Sequence, residues 1–177
     1  TTTLACCAAI GLAKHLGRPT LLWETNLHAP QMAAYMKLPT TPGFAELVSG
    51  AEPPREVIRA TEIPNLAAIP AGNAAALREG ALAGERAEHV MEECIALGFQ
   101  NVVLDLPPVL DFPDSRLLLW RLDACVLVLR AGDTDGEDAE NALATIRNSG
   151  VEVLGTVLNR RVPDLPQIGR KKASPAA

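Results

Sequence analysis

An acid that closes an apolar run is the first feature with chemistry in it. Val102-Val103-Leu104 ends on Asp105, and Leu106-Pro107-Pro108 follows. A carboxylate so placed can hold a magnesium ion through water beside a phosphate, because magnesium takes oxygen ligands and keeps much of its hydration. On its own, an acid ending a strand more often caps a loop. Two other apolar runs also end in polar groups. Thr20-Leu21-Leu22-Trp23 leads into Glu24-Thr25-Asn26-Leu27-His28, and the run through Val157-Leu158 stops at Asn159. In open parallel sheets, ligands bind beyond the carboxyl ends of the strands, so these three ends form the candidate site. Other constellations are weaker. His15, His28 and His89 have no metal-ligand spacing with the four cysteines, no serine–histidine–aspartate arrangement is supported, and no GxGxxG follows a strand. The aromatic residues are too scattered to stack bases.

The elements that must hold those ends in place alternate between helix and strand. The apolar, helix-forming stretch 4–16 predicts a buried helix stopped at Gly17. A strand is expected at 20–23, then short helices at 31–38 and 43–49 around the Thr40-Thr41-Pro42-Gly43 turn. Tyr35 is expected to pack inward. Pro53-Pro54 opens another short helix through Ile58. A strand at 66–69 ends at Pro70-Ala71-Gly72, and the Ala- and Gly-rich stretch 73–83 is expected to be mobile. Residues 84–97 predict an amphipathic helix with Ala87, Val90, Met91, Cys94 and Leu97 facing inward. Strand 101–105, helix 114–121, strand 124–129, helix 136–148 and strand 151–158 complete the chain. Strands apolar on both faces and separated by helices imply α/β architecture, a mostly parallel sheet flanked by helices.

Size and charge narrow the classes further. A chain of 177 residues with 48% hydrophobic and 21% charged residues is neither disordered nor fibrous. Sixteen Lys+Arg against 21 Asp+Glu give a net charge of -5. That balance argues against nucleic acid as a partner held by bulk charge. No apolar run approaches the roughly 18 residues of a membrane span, and no signal peptide is visible. Cys6, Cys7, Cys94 and Cys125 lie in apolar stretches with no CxxC, which predicts buried, reduced thiols of a cytosolic domain. The chain opens Thr1-Thr2-Thr3 without a methionine, so we expect either processing or a piece of something longer.

Residues 18–30 and 38–72 resemble the cytoplasmic domain of the bacterial tyrosine kinases of capsule and exopolysaccharide synthesis. The resemblance is carried by Leu38-Pro39-Thr40-Thr41-Pro42-Gly43-Phe44, Glu62-Ile63-Pro64-Asn65-Leu66 and Ile69-Pro70-Ala71-Gly72. Val102 to Leu110, with its double proline, looks like the Walker B segment of that family. Leu127 to Gly132 and Val153 to Arg160 continue the match, which ends near Val162. The family sits within the MinD- and ParA-like P-loop ATPases, whose fold agrees with the alternation above. The resemblance implies ATP and Mg as cofactors. Asp105 would organise magnesium, Glu24 and Asn26 would face the phosphates in catalytic roles, and Asn159 would touch the adenine. Thr1, Thr2 and Thr3 match the hydroxyl residues after the phosphate-loop lysine, with Thr3 the magnesium-side candidate. The glycines and lysine of that loop are absent from the sequence, and we expect them before Thr1.

Three departures bear on activity. The family's Asp-x-Asp-x-Arg is here Glu24, Asn26 and His28, which lengthens one acid, removes another and replaces a fixed positive charge. The tail after Arg170-Lys171-Lys172 has no tyrosine, and Tyr35 is the chain's only one. The segment 73–83 lacks the family's Asn-Pro stretch, which bears on self-association. The expected organisation is an ATPase-like domain at 1–162 and a flexible basic tail at 163–177. The implied partner is a membrane polysaccharide co-polymerase or activator protein, which would hold a cytoplasmic domain at the inner face of the membrane. A non-catalytic partner module and a positioning ATPase are the alternatives.

Overall fold

The computed structural model describes residues 1–77 and 85–161. The chain begins with α1 (Thr2–Ile10), prolonged by a π-helical turn at Gly11–His15. Then come β1 (Thr20–Glu24), α2 (Met32–Met36), α3 (Phe44–Ser49), α4 (Pro54–Val57), β2 (Arg59–Ala60) and β3 (Leu66–Ile69). A 3-10 turn at Ala74–Ala76 precedes α5 (Glu85–Ala96), β4 (Asn101–Asp105), α6 (Pro113–Leu119), β5 (Ala124–Arg130), α7 (Gly136–Asn148) and β6 (Glu152–Asn159). The mobility expected for 73–83 falls largely on residues outside those described, as does the tail at 163–177.

The strands form two sheets. The first runs β2-β3-β1-β4, and the second is β5-β6. β3, β1 and β4 are parallel, with Thr20 opposite Leu66 and Asn101, while the two-residue β2 is antiparallel to β3. β5 and β6 are also parallel, with a bulge between Cys125 and Val126. The parallel α/β architecture is therefore present, with an antiparallel edge strand that its two residues were too short to announce.

The period of two along β1 decides which helices cover which face. Leu21 and Trp23 point to one side and pack with Phe44, Leu47, Val57, Val90 and Leu118 from α3 to α6. Leu22 points to the other side and joins Cys6 and Ala9 of α1, Ala13 of the π-helical turn and Met32 of α2. Trp23 meets Phe44 edge to face, with ring centroids 5.6 Å apart. Apolarity on both strand faces was thus a correct sign of two helical layers. α7 starts on an aspartate cap: Asp138 N donates to Asp135 Oδ1 at 2.7 Å, and Arg147 lies in its last turn.

Three expectations about side chains are corrected. Tyr35 lies on the outer side of α2 and is 55% exposed, because Met32 and Ala33 supply that short helix's buried face. Leu97 follows the end of α5 and is 39% exposed, whereas Val90 and Cys94 are fully buried. Cys7 is exposed and Cys125 only partly covered; Cys6 and Cys94 are buried. An all-round apolar helix does not reveal which flank the sheet will cover.

Candidate functional site

β1 and β4 lie side by side and end together, with Glu24 opposite Asp105 in register. Both acids are buried, Glu24 completely and Asp105 to 1% exposure. A buried carboxylate needs hydrogen-bond donors or a counter-ion. The two acids meet that need differently.

Glu24 is tied into the backbone. Its Oε1 accepts from the N–H groups of Gln31 and Met32, the latter at 2.7 Å, and its Oε2 accepts from Ala71 N at 3.3 Å. One side chain therefore joins the end of β1, the start of α2 and the loop after β3. Burial pushes its carboxyl above the usual range; the N–H groups of Met32, Gln31 and Ala71 oppose that, and Asp105 adds to it. An exposed polar loop at Glu24 is not what forms. Asn26 is 8% exposed, and its Oδ1 accepts from Ala29 N at 3.2 Å, turning the chain back after Leu27. His28 is exposed and stacks on Phe112, with ring centroids 3.8 Å apart.

Asp105 is the opposite case. Both carboxylate oxygens are buried without a hydrogen bond of acceptable geometry. Burial pushes the carboxyl up; the Thr2 side chain, the amino group of Thr1 and the Thr1 side chain act against it from nearby. Thr2 is buried against this acid, whereas Thr1 and Thr3 are exposed. Of the three threonine hydroxyls, those facing Asp105 are Thr2 and Thr1, not Thr3. An α-helix advances about 100° per residue, so Thr3, next after Thr2 in α1, turns to solvent while Thr2 faces the acid.

Asn159 stands elsewhere, at the end of β6 opposite Arg130, where its Oδ1 accepts from Arg160 N at 2.8 Å. The structure therefore brings Thr1, Thr2, Glu24 and Asp105 to one sheet edge with Asn26 beside them, and leaves Asn159 on the second sheet.

Several supporting groups escaped the sequence reading. Thr25 N and Thr25 Oγ1 both donate to Asp105 O, at 3.1 and 2.9 Å, locking the two strand ends together. Ser115 Oγ donates to Pro107 O at 2.7 Å and holds the double-proline loop. Glu46 accepts from Gly43 N at 2.8 Å and Asn73 N at 3.0 Å. Phe44 N and Ala45 N donate to Pro70 O and Ala71 O at 2.7 and 2.9 Å. Thus Leu38 to Phe44 and Ile69 to Gly72, separate in sequence, form one interlocked support behind Glu24. Glu46, three residues into the helix that opens at Gly43 and reaching back to the Gly43 N–H, was the one available signal. No helix among the described residues is long and apolar enough to cross a membrane. Among the same residues no cluster of three or more His, Cys, Asp or Glu could hold a metal alone. A cation at Asp105 would therefore need oxygens from a ligand.

The chain has relatives among known proteins, although no family model matches it. A tyrosine-protein kinase of Acinetobacter johnsonii is 29% identical over 139 residues, 78% of this chain and 19% of that protein. The tyrosine-protein kinase CpsD of Streptococcus agalactiae is 28% identical over 164 residues, 90% of this chain and 69% of its own length. Its curated relatives are bacterial tyrosine-protein kinases. The chain spans about a fifth of the first and two thirds of the second. Among solved structures, the chimeric protein CapA2B2 superposes with a TM-score of 0.81 at 21% identity, covering 90% of this chain and 70% of that one. The VpsO kinase domain gives 0.79 at 24% identity, covering 91% and 78%. The cell division ATPase MinD of Pyrococcus furiosus gives 0.71 at 17%, covering 92% and 70%. Cobyrinic acid a,c-diamide synthase of Mycobacterium smegmatis, with bound ADP and magnesium, gives 0.72 at 16%, covering 89% and 68%. The chain shares its fold, a parallel α/β sheet flanked by helices, with these solved structures.

Proposed function

We propose that this chain is the Mg-ATP-binding domain of a bacterial protein-tyrosine autokinase acting in capsule or exopolysaccharide synthesis, weakened in its phosphoryl-transfer machinery. The observation that carries the reading is Asp105. Two buried carboxylate oxygens without a well-aligned hydrogen bond, at the carboxyl edge of a parallel sheet and next to threonine hydroxyls, suit a hydrated divalent cation. Magnesium, when bound, would supply positive charge that offsets the phosphates. Asp105 would orient that cation through its waters, with Thr2 and Thr1 as neighbouring hydroxyls. Glu24 and Asn26 support the phosphate side by holding its loops, and Asn159 is the adenine contact suggested by resemblance alone. A membrane polysaccharide co-polymerase or activator is the partner, which sets the domain at the inner face of the membrane.

Calorimetry with Mg-ATP, on the protein with the residues that precede Thr1 present, tests this reading. Binding at micromolar nucleotide that Asp105→Asn abolishes supports it; no binding at millimolar nucleotide removes it.

A second reading is favoured by Glu24 and Asn26. Their acceptor oxygens are engaged by backbone N–H groups, so the chain has a route to keeping the fold while giving up catalysis. In that case the domain is a non-catalytic regulator of the same partner. Phosphotyrosine formed by the purified protein with Mg-ATP separates the two, since a dead module forms none.

A further inference from the structure

The loops that leave β1 and β4 meet again beyond the two buried acids. Glu24 and Asp105 close adjoining strands in register, and the chain after each makes a braced turn. After β1, Leu27 N donates to Thr25 O at 3.1 Å and Ala29 N to Asn26 Oδ1 at 3.2 Å, a turn that carries His28. After β4, Phe112 N donates to Pro108 O at 3.2 Å and Ser115 Oγ to Pro107 O at 2.7 Å, a turn that carries Phe112. Leu27 and Leu106 pack against the core cluster that holds Trp23 and Phe44, and so anchor both turns.

A ring pair joins the two turns. The imidazole of His28 lies nearly parallel to the Phe112 ring, with 17° between the planes and 3.8 Å between the centroids. Phe112 is half-buried, whereas His28, Ala29 and Pro30 are exposed in succession. The solvent rim of the site is thus a flat imidazole backed by a second ring and followed by two apolar residues. The acids of this loop are engaged elsewhere: Glu24 Oε1 accepts from Gln31 and Met32, and Asn26 Oδ1 from Ala29. What the loop presents to an arriving molecule is ring surface. Aromatic rings attract one another beyond the area they bury, and a ring already held in place loses little freedom when another packs on it.

We propose that His28, backed by Phe112, seats the aromatic ring of the phosphoryl acceptor, so that a tyrosine phenol is taken in preference to serine or threonine. This rests on the phosphotransfer reading above and names what selects its acceptor. The phenol ring packs on the rim of His28, Ala29 and Pro30, and its hydroxyl is left toward the strand ends. In the transfer the phenol oxygen bonds to the γ-phosphorus as the bond to the ADP oxygen breaks, and the phenol proton leaves to water. His28 positions the acceptor and takes no part in that bond exchange.

The protein used in the calorimetry above is assayed with Mg-ATP and a peptide carrying one tyrosine, and the two KM values are measured separately. His28→Lys keeps a positive charge without a ring, and Phe112→Leu removes the backing ring at similar volume. Both are expected to raise the peptide KM about fivefold, with the Mg-ATP KM within about twofold of the parent's. His28→Phe keeps a ring and with it the parent's peptide KM. An unchanged peptide KM in His28→Lys and Phe112→Leu overturns the inference. So does a peptide KM kept by His28→Lys and lost in His28→Phe, which makes charge the operative property, or a rise confined to the Mg-ATP KM.

A binding measurement separates this inference from the kinase reading. In NMR titrations the ring-proton signals of His28 should move upfield with N-acetyltyrosinamide and stay in place with N-acetylserinamide. Phe112→Leu should remove that shift, and the signals of His15 and His89 serve as internal references. The shift in a protein that transfers no phosphoryl group supports the seat and removes the kinase reading. Transfer to the tyrosine peptide without the shift removes the seat alone, and neither shift nor transfer removes both.

Discussion

Replacing Glu24 by alanine removes the acceptor for three backbone N–H groups at once, those of Gln31, Met32 and Ala71. Their contributions are unequal. Met32 is buried and its bond is 2.7 Å long, so losing it costs about 2 kcal/mol. Gln31 is exposed and turns to water, and the Ala71 bond is long at 3.3 Å, so each adds only about 1 kcal/mol. Removing a carboxylate that burial already penalises returns about 1 kcal/mol, leaving a net loss of about 3 kcal/mol. In a domain of this size that lowers the melting temperature by roughly 6–12 °C. Glu24→Gln behaves differently because one oxygen serves both Gln31 and Met32. The amide oxygen keeps that pair, and its NH₂ opposes only Ala71, so the loss is about 1 kcal/mol. Thermal melts by circular dichroism give the two shifts, and amide exchange at Met32 and Ala71 locates them. An alanine variant melting within about 1 °C of the parent would refute the reasoning, since Glu24 would then hold nothing together. If Glu24 acts through the loops, Mg-ATP affinity in the glutamine variant also stays near the parent's, while the alanine variant loses it.

Four further outcomes follow from the same geometry. Asp105→Asn should raise the melting temperature of the ligand-free protein, because a carboxylate penalised by burial gives way to a neutral amide, while Mg-dependent nucleotide binding is lost in calorimetry. Glu24 and Asp105 both have folded-state carboxyls raised by burial, so the folded state holds their protons more tightly than the unfolded one. Stability therefore grows as pH falls from neutrality toward the ordinary carboxylate range, and the Glu24→Gln, Asp105→Asn double variant should flatten that slope in urea titrations. Gly72→Ala should destabilise by about 1–3 kcal/mol in denaturant unfolding, since Gly72 sits at φ +79° and an added Cβ meets the Glu46 carboxylate. Iodoacetamide at pH 8 should label exposed Cys7 first by peptide mass spectrometry, with Cys6 and Cys94 resistant because burial pushes their thiols up to about 11 and about 12.

Much of the scaffold was legible from local pattern. Strands 66–69 and 101–105 and helix 136–148 form within the limits their sequences suggest, because runs of β-branched and aliphatic residues, or an aspartate cap before a 3.6-residue repeat, act over a few neighbours. β2 was missed because two residues have no periodicity. Tyr35 and Leu97 were misplaced because a helix of five residues, or the residue after a helix end, has no well-defined inner face. The site was partly legible. Asp105 stood out as an acid ending an apolar run, but the partners of Glu24 lie seven, eight and 47 residues away, beyond any local pattern.

The sequence by itself determined the layered α/β plan and the three polar strand ends, since both follow from which residues are apolar and how often they recur. Tertiary structure decided what those ends do. Register sets Glu24 beside Asp105 in equal burial, yet the chain that passes above them supplies three N–H groups to one and none to the other. Donor count at a buried carboxylate depends on where distant backbone arrives, and only the folded chain specifies that.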